Sequence, residues 1–73
     1  MDDDLTMDVD LVGRLLMERE MTWADLAKAM RMSKSTISRV QRFETRPGRK
    51  FIFRLRDVFP AYRDQLFVPF ARR

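Results

Sequence analysis

Two amphipathic segments, each preceded by a helix-capping residue, constrain the fold of this chain more than any other feature. Thr22 is placed to cap the first segment and Ser33 the second, because a serine or threonine hydroxyl accepts a hydrogen bond from the free amides that begin a helix. Asp25, three residues after Thr22, has the position of a capping-box acid. Only residues 31 and 32 separate the two segments, so we expect two helices that meet at a sharp angle.

Apolar residues at helical spacing predict which side of each segment is buried. Met21 and Leu26 are placed to staple the start of the first segment, and Met32 and Ile37 repeat that device in the second. The other positions expected to face inward are Ala27, Met30 and Val40.

The rest of the chain is predicted to be helical as well. Leu11, Val12, Leu15 and Leu16 form one stripe of a helix that is capped by Asp8 or Asp10 and ends near Arg19. Residues 46 to 48 (Arg-Pro-Gly) break the chain. Beyond them, a helix from residue 51 to 59 is stopped by Pro60, and a last short helix is expected from residue 61 to 67. We therefore predict an all-α bundle of about five short helices without a sheet.

Length and composition limit the domains and the chemistry. With 73 residues the chain is expected to form one domain, residues 9 to 73, whose C-terminal segment packs or dimerises, after a flexible acidic tail at residues 1 to 8. It has no cysteine and no histidine, which removes disulfides, thiolate metal ligands and the commonest general base. We expect no catalytic residue, no metal, no cofactor and no small-molecule substrate.

No apolar run approaches the roughly 20 residues that span a bilayer. The N-terminus also lacks the basic start and apolar stretch of a secretory signal. The expected location is therefore the cytoplasm, in association with the nucleoid, without membrane contact.

Charge is distributed unevenly along the chain. The first ten residues carry five aspartates and no base, whereas residues 11 to 73 carry all 15 bases and six acids, 15 − 6 = +9. Residues 31 to 56 contain nine bases against Glu44 alone, 9 − 1 = +8. Such a stretch is either a polyanion-binding surface or a solvated basic face.

The second capped segment carries its basic residues on one side. With Ile37 at 0° on a helical wheel, the polar residues of the opposite face fall between about 100° and 200°; they are Ser35, Ser38, Arg39 and Arg42. The major groove admits a helix, small side chains allow close approach, and arginine donates two hydrogen bonds to guanine. A helix over residues 34 to 43 is therefore predicted to read bases.

Residues 22 to 40, TWADLAKAMRMSKSTISRV, closely resemble the Cro and lambda-repressor (XRE-type) helix-turn-helix of bacterial and phage regulators. The resemblance implies a five-helix bundle, dimeric binding to a palindromic operator, and control of transcription, most simply as a repressor. By this resemblance the base-reading candidates are Lys34, Ser35, Ser38, Arg39 and Arg42. The candidates for phosphate binding are Thr22, Trp23, Ser33, Arg46, Arg49 and Lys50.

Three residues depart from the family pattern. Trp23 stands where a glutamine is usual, and Gln41 where a glutamate is usual. Arg31 takes the place of the turn glycine, so it must adopt a left-handed conformation at a cost of about 1 kcal/mol or more, or the turn must differ.

The partner expected is double-stranded DNA, bound by a homodimer, because one helix-turn-helix contacts only a few base pairs. Phe53, Phe67 and Phe70 are candidates for the dimer interface. The alternative is that such aromatic residues complete the core. For Phe67 and Tyr62 the two interpretations are evenly balanced, whereas Phe53 and Phe70 are the better candidates for the interface.

Other functions compete with a sequence-specific regulator. A protein-interaction adaptor could use the same bundle to bind another regulator or polymerase, since fold does not fix function. A basic peptide that binds membranes or RNA would not need the capping and core spacing. An enzyme is disfavoured because no base and nucleophile are arranged for catalysis.

Overall fold

The computed structural model describes residues 5 to 69 of the chain. In chain order the elements are strand β1 (Leu5–Met7), helices α1 (Val9–Glu18), α2 (Trp23–Met30), α3 (Lys34–Gln41) and α4 (Arg49–Val58), a 3₁₀ turn (Pro60–Tyr62) and strand β2 (Phe67–Pro69). None of the helices in this part of the chain has the length and apolarity needed to cross a bilayer.

Helix α1 begins and ends where the sequence predicts. The carboxylate of Asp8 accepts a hydrogen bond from the Leu11 amide (3.1 Å), so Asp8 rather than Asp10 is the cap. Val12, Leu15 and Leu16 are buried, whereas Leu11 is half-buried at the edge of the stripe.

Helix α2 begins with a complete capping box. The Asp25 amide donates to the Thr22 hydroxyl (3.0 Å), and the Thr22 amide donates to the Asp25 carboxylate (2.9 Å). These hydrogen bonds from Thr22 hold the pKa of Asp25 below its usual value. The prediction for this cap is confirmed, and Leu26, Ala27 and Met30 are buried as expected.

The turn between α2 and α3 is made by one residue in the left-handed region. Arg31 has φ 57° and ψ 43°. Its amide donates to the Lys28 carbonyl (3.1 Å), and the Met32 amide donates to the Ala27 carbonyl (3.0 Å), which is the Schellman arrangement. Met32 is half-buried against the core, and the next residue, Ser33, caps α3. Arg31 therefore takes the left-handed alternative rather than a different turn.

Arg54, on α4, stabilises this turn from outside the motif. Its Nη1 donates to the carbonyls of Met30 (3.2 Å) and Arg31 (2.9 Å). Carbonyls at a helix C-terminus have no partner within the helix, and a cation there also opposes the negative end of the helix dipole. Helix α4 is thus attached directly to the turn that sets the angle between α2 and α3.

Helix α3 is shorter than expected. It ends at Gln41, not at residue 43. The Arg42 amide still donates to the Ser38 carbonyl (3.0 Å), but Phe43 turns left-handed at φ 62°. Glu44 then donates its amide to the Arg39 carbonyl (2.8 Å), which closes the helix. The non-glycine residues with positive φ in the described chain, Glu20, Arg31 and Phe43, each follow the end of a helix.

The core lies between the four helices and the small sheet. Phe51, Leu55 and Phe59 from α4 and its end are at most 2% exposed, and they belong to the same buried cluster as Ile37 and Val40 from α3, which are each 1% exposed. The Arg19 guanidinium joins the end of α1 to the end of α4: it donates to the Val58 carbonyl (3.0 Å) and lies 4.5 Å from the centre of the Phe59 ring.

The prediction of five helices and no sheet is wrong at both ends of the described chain. Strands β1 and β2 pair antiparallel, with Thr6 opposite Val68, and the Asp8 amide donates to the Leu66 carbonyl (2.8 Å). Residues 5 to 7, expected in the flexible tail, form β1. The helix expected at residues 61 to 67 is a 3₁₀ turn followed by β2. Three-residue strands are too short to display an alternating pattern.

The left-handed turn predicts a stability difference between two variants at Arg31. Glycine adopts this conformation without steric cost, whereas alanine retains the Cβ strain. We expect Arg31→Gly to be more stable than Arg31→Ala by about 1 kcal/mol in urea denaturation, since both variants lose the same guanidinium. Equal stability of the two variants would contradict the left-handed turn.

The Arg54 contact predicts that this base contributes to stability, in contrast to an exposed base of the same helix such as Lys50. Arg54→Met keeps an apolar stem but loses both hydrogen bonds, and we expect a loss of about 1 kcal/mol in the free energy of unfolding. Lys50→Met, which removes an exposed charge from the same helix, should change stability by less than about 0.5 kcal/mol. If the two variants were destabilised equally, the hydrogen bonds from Arg54 would not contribute to the free energy of unfolding.

Candidate nucleic-acid interface

The outer face of α3 is basic, and its inner face is anchored in the core. Lys34, Ser35 and Arg39 are exposed, and Ser38 is half-buried on the same helix. The apolar residues of the opposite side are almost inaccessible to solvent. One side of the helix is therefore fixed in the core, and the other side is accessible to a partner. Residues 34 to 41 include no acidic residue.

Arg42 lies just beyond α3 but continues its path, because its amide still bonds to a carbonyl of the helix. Its Nε is 3.4 Å from the Glu44 carboxylate, and both side chains are more than half exposed. An ion pair this exposed contributes little, so a stronger acceptor can replace Glu44. The structure thus brings Arg42 next to the other four base-reading candidates.

The start of α3 carries a cluster of hydroxyl groups. Ser33 Oγ accepts a hydrogen bond from the Thr36 amide (3.2 Å) and lies 2.8 Å from Thr36 Oγ1 and 3.3 Å from Ser35 Oγ. The amides of Lys34 and Ser35 precede the first hydrogen bond of the helix and point out of its positive end. Such a group of donors suits a phosphate oxygen.

The two phosphate-binding candidates at the start of α2 have other contacts. The Thr22 amide is already bonded to Asp25, which leaves the hydroxyl hydrogen as the donor of this residue. Trp23 is half-buried and lies over α1, since a Cβ added to Gly13 would be 3.8 Å from Trp23 Cζ2. The indole that replaces the usual glutamine thus packs on the first helix.

A second group of bases surrounds the start of α4. Arg46, Arg49 and Lys50 are exposed. Gly48 precedes the helix and offers no side chain to cap it. This helix end therefore concentrates positive charge, from two side chains and from the dipole, in the segment that follows α3.

The sequence did not distinguish the arginines that donate to main-chain carbonyls from the exposed arginines. Besides Arg54 and Arg19, Arg56 is fixed: its Nε donates to the Arg63 carbonyl (3.1 Å), and its guanidinium is 5.8 Å from the centre of the Phe67 ring. One signal was present in the sequence. Arg54 falls about 60° from Phe51 on a helical wheel, at the edge of the apolar face.

The three dimer-interface candidates differ in where the structure puts them. Phe67 is 8% exposed and meets Phe51 edge to face with ring centres 6.4 Å apart, so it completes the core and offers little area to a partner. Phe53 is 59% exposed. Phe70 lies outside the described residues. Tyr62, the other core alternative, is half-buried against the core.

Comparison with known proteins supports the helix-turn-helix assignment. Residues 14 to 39 match the family model described as "Bacterial regulatory protein, arsR family". No curated protein and no solved structure matches the chain. The matched residues extend from within α1 through α2 to most of α3. The match supports a DNA-binding helix-turn-helix of a transcriptional regulator, and it does not single out the Cro and lambda-repressor type.

Proposed function

We propose that this protein binds a specific sequence of double-stranded DNA by inserting α3 into the major groove, and regulates transcription from that site. The observation that carries this proposal is the exposed basic and hydroxyl face of α3, in a helix whose opposite side is locked in the core. A rigid helix can hold its side chains in register with base edges, because little ordering is left to occur on binding.

The base readers we propose are Lys34, Ser35, Ser38, Arg39 and Arg42. The two arginines suit guanine, to which a guanidinium donates two hydrogen bonds, and the serines are short enough to let the helix approach. Phosphates are bound by the start of α3 at Ser33, by Thr22 and Trp23, and by Arg46, Arg49 and Lys50. Contacts of this second kind set the position of the protein without reading sequence.

We further propose that the protein acts as a homodimer and as a repressor of the Cro and lambda-repressor type, in bacteria or phage. One α3 contacts few base pairs, so two copies one helical turn apart are needed for specificity. In the described chain α4 follows α3 with no strand between them, and this order of elements supports the Cro and lambda-repressor type. A dimer bound at a promoter excludes polymerase sterically, and binding to the chromosome would hold the protein at the nucleoid.

Selection from a random pool of duplex DNA at moderate salt tests the function directly. We expect one enriched motif arranged as an inverted repeat, because a two-fold dimer reads the same half-site twice. A single half-site would remove the dimer from the proposal. If no sequence were enriched, the regulator would be rejected in favour of an adaptor.

The two classes of contact predict different losses. Arg39→Ala or Arg42→Ala should cost about 1 to 3 kcal/mol on the selected site and relax the preference there. Arg49→Ala or Lys50→Ala should weaken binding to all sequences alike and reduce the slope of log K against log salt by about 1. Titration at several salt concentrations measures both effects, and Arg63→Ala, an exposed base outside the interface, is the control.

If Arg39→Ala and Arg42→Ala lowered affinity for selected and random DNA equally, α3 would not be the reading element.

A further inference from the structure

Helix α4 and the turn before it enclose a groove that the proposed DNA contacts do not explain. The groove has a volume of about 550 Å³ and is lined by residues 46 to 48 and by Arg49, Ile52, Phe53 and Arg56. Three of its residues are arginines, several are apolar, and none is acidic. We refer to it as the α4 groove.

Phe53 is the unusual residue of the α4 groove. Its side chain is 59% exposed, whereas Phe51 and Phe59 on the same helix and at its end are 2% and 0% exposed. An exposed phenylalanine leaves a large apolar surface in water, and covering that surface is favourable. Recognition of the DNA backbone does not require such a side chain.

One of the two charges beside Phe53 is held in place. Arg49 lies one helical turn before it, and Arg56 lies three residues after it, next to it on the helix surface. Arg56 is fixed by its hydrogen bond to the Arg63 carbonyl and by the Phe67 ring. The groove thus presents an apolar surface between two cations, of which at least one is preorganised.

These charges argue against a second copy of the chain in the same groove. In a two-fold contact through Phe53, each residue meets its equivalent or a close neighbour in the other copy, so the arginines of both copies would converge. Like charges brought together at an interface are unfavourable. The groove is complementary to a ligand that is apolar at its centre and negative at its edges.

We propose that the α4 groove binds an acidic segment of a partner protein, with an apolar side chain of that segment against Phe53 and its carboxylates on Arg49 and Arg56. Arg49 is also a proposed phosphate contact, so the segment and DNA compete for it. The competition rests on the proposed function, whereas binding of the segment does not. The partner would thereby release the regulator from its site.

The test uses the full chain and two synthetic peptides of 12 residues. Both peptides consist of aspartate and glutamate except at one central position, where they differ. That residue is phenylalanine in one peptide and alanine in the other. By fluorescence anisotropy we expect the phenylalanine peptide to bind about tenfold more tightly than the alanine peptide, because only the first covers apolar surface. Phe53→Ser should reduce this preference to less than about twofold, and Phe53→Leu should retain most of it.

DNA binding provides the control for folding and for the competition. Phe53→Ser should bind the selected DNA within about twofold of the original chain, since Phe53 makes no proposed DNA contact. The phenylalanine peptide should displace that DNA from the original chain but not from Phe53→Ser at the same concentration. Displacement of DNA equally from both proteins would overturn the role of the groove.

Other outcomes reject the proposal in favour of a different occupant. Equal binding of the two peptides, or no binding, would mean that the groove has no apolar recognition. Tighter, Phe53-dependent binding of single-stranded oligonucleotides would indicate base stacking instead. Self-association lost in Phe53→Ser, measured by sedimentation, would indicate a second copy. If the peptide preference held but no DNA sequence were selected, the DNA-binding function alone would fail.

Discussion

Two hydrogen bonds from Arg54 of α4 to the end of α2 stabilise the turn on which the arrangement of the helix-turn-helix depends. The turn depends on Arg31 remaining left-handed, a conformation that side chains other than glycine adopt at a cost. Arg54 offsets this cost by satisfying the Met30 and Arg31 carbonyls with a cation from α4. Because the direction of α3 follows from this turn, the position of the exposed basic face of α3 depends on a residue well outside the motif.

The same packing divides the basic residues into two groups. Arg19, Arg54 and Arg56 donate to main-chain carbonyls, and two of them also lie against aromatic rings of the core. Lys34, Arg39, Arg49 and Lys50 remain exposed. A count of charges therefore overstates the number of cations free for a polyanion. These exposed cations lie on α3 and at the start of α4, the regions from which DNA recognition and the α4 groove are inferred.

The helices that carry the motif could be predicted because their signals are local. Asp8, Thr22 and Ser33 cap the helices that follow them, and each cap acts within three residues along the chain. The inward positions of α2 and α3 follow from the 3.6-residue repeat. The end of α3 was predicted at residue 43, beyond its actual end at Gln41. The usual signal for a left-handed residue is glycine, and the sequence around Phe43 has none.

The sequence by itself therefore determined the start of the motif, its buried side and the residues of its polar face, since propensity, capping and periodicity are properties of neighbouring residues. Only the tertiary structure decided that residues 5 to 7 pair with residues 67 to 69, that Phe67 fills the core while Phe53 does not, and that Arg54 holds the turn. These contacts join residues more than 20 positions apart or depend on how a helix is rotated against its neighbours. Their energies arise only when the chain is folded, so a local pattern, such as the place of Arg54 at the edge of an apolar face, does not establish them.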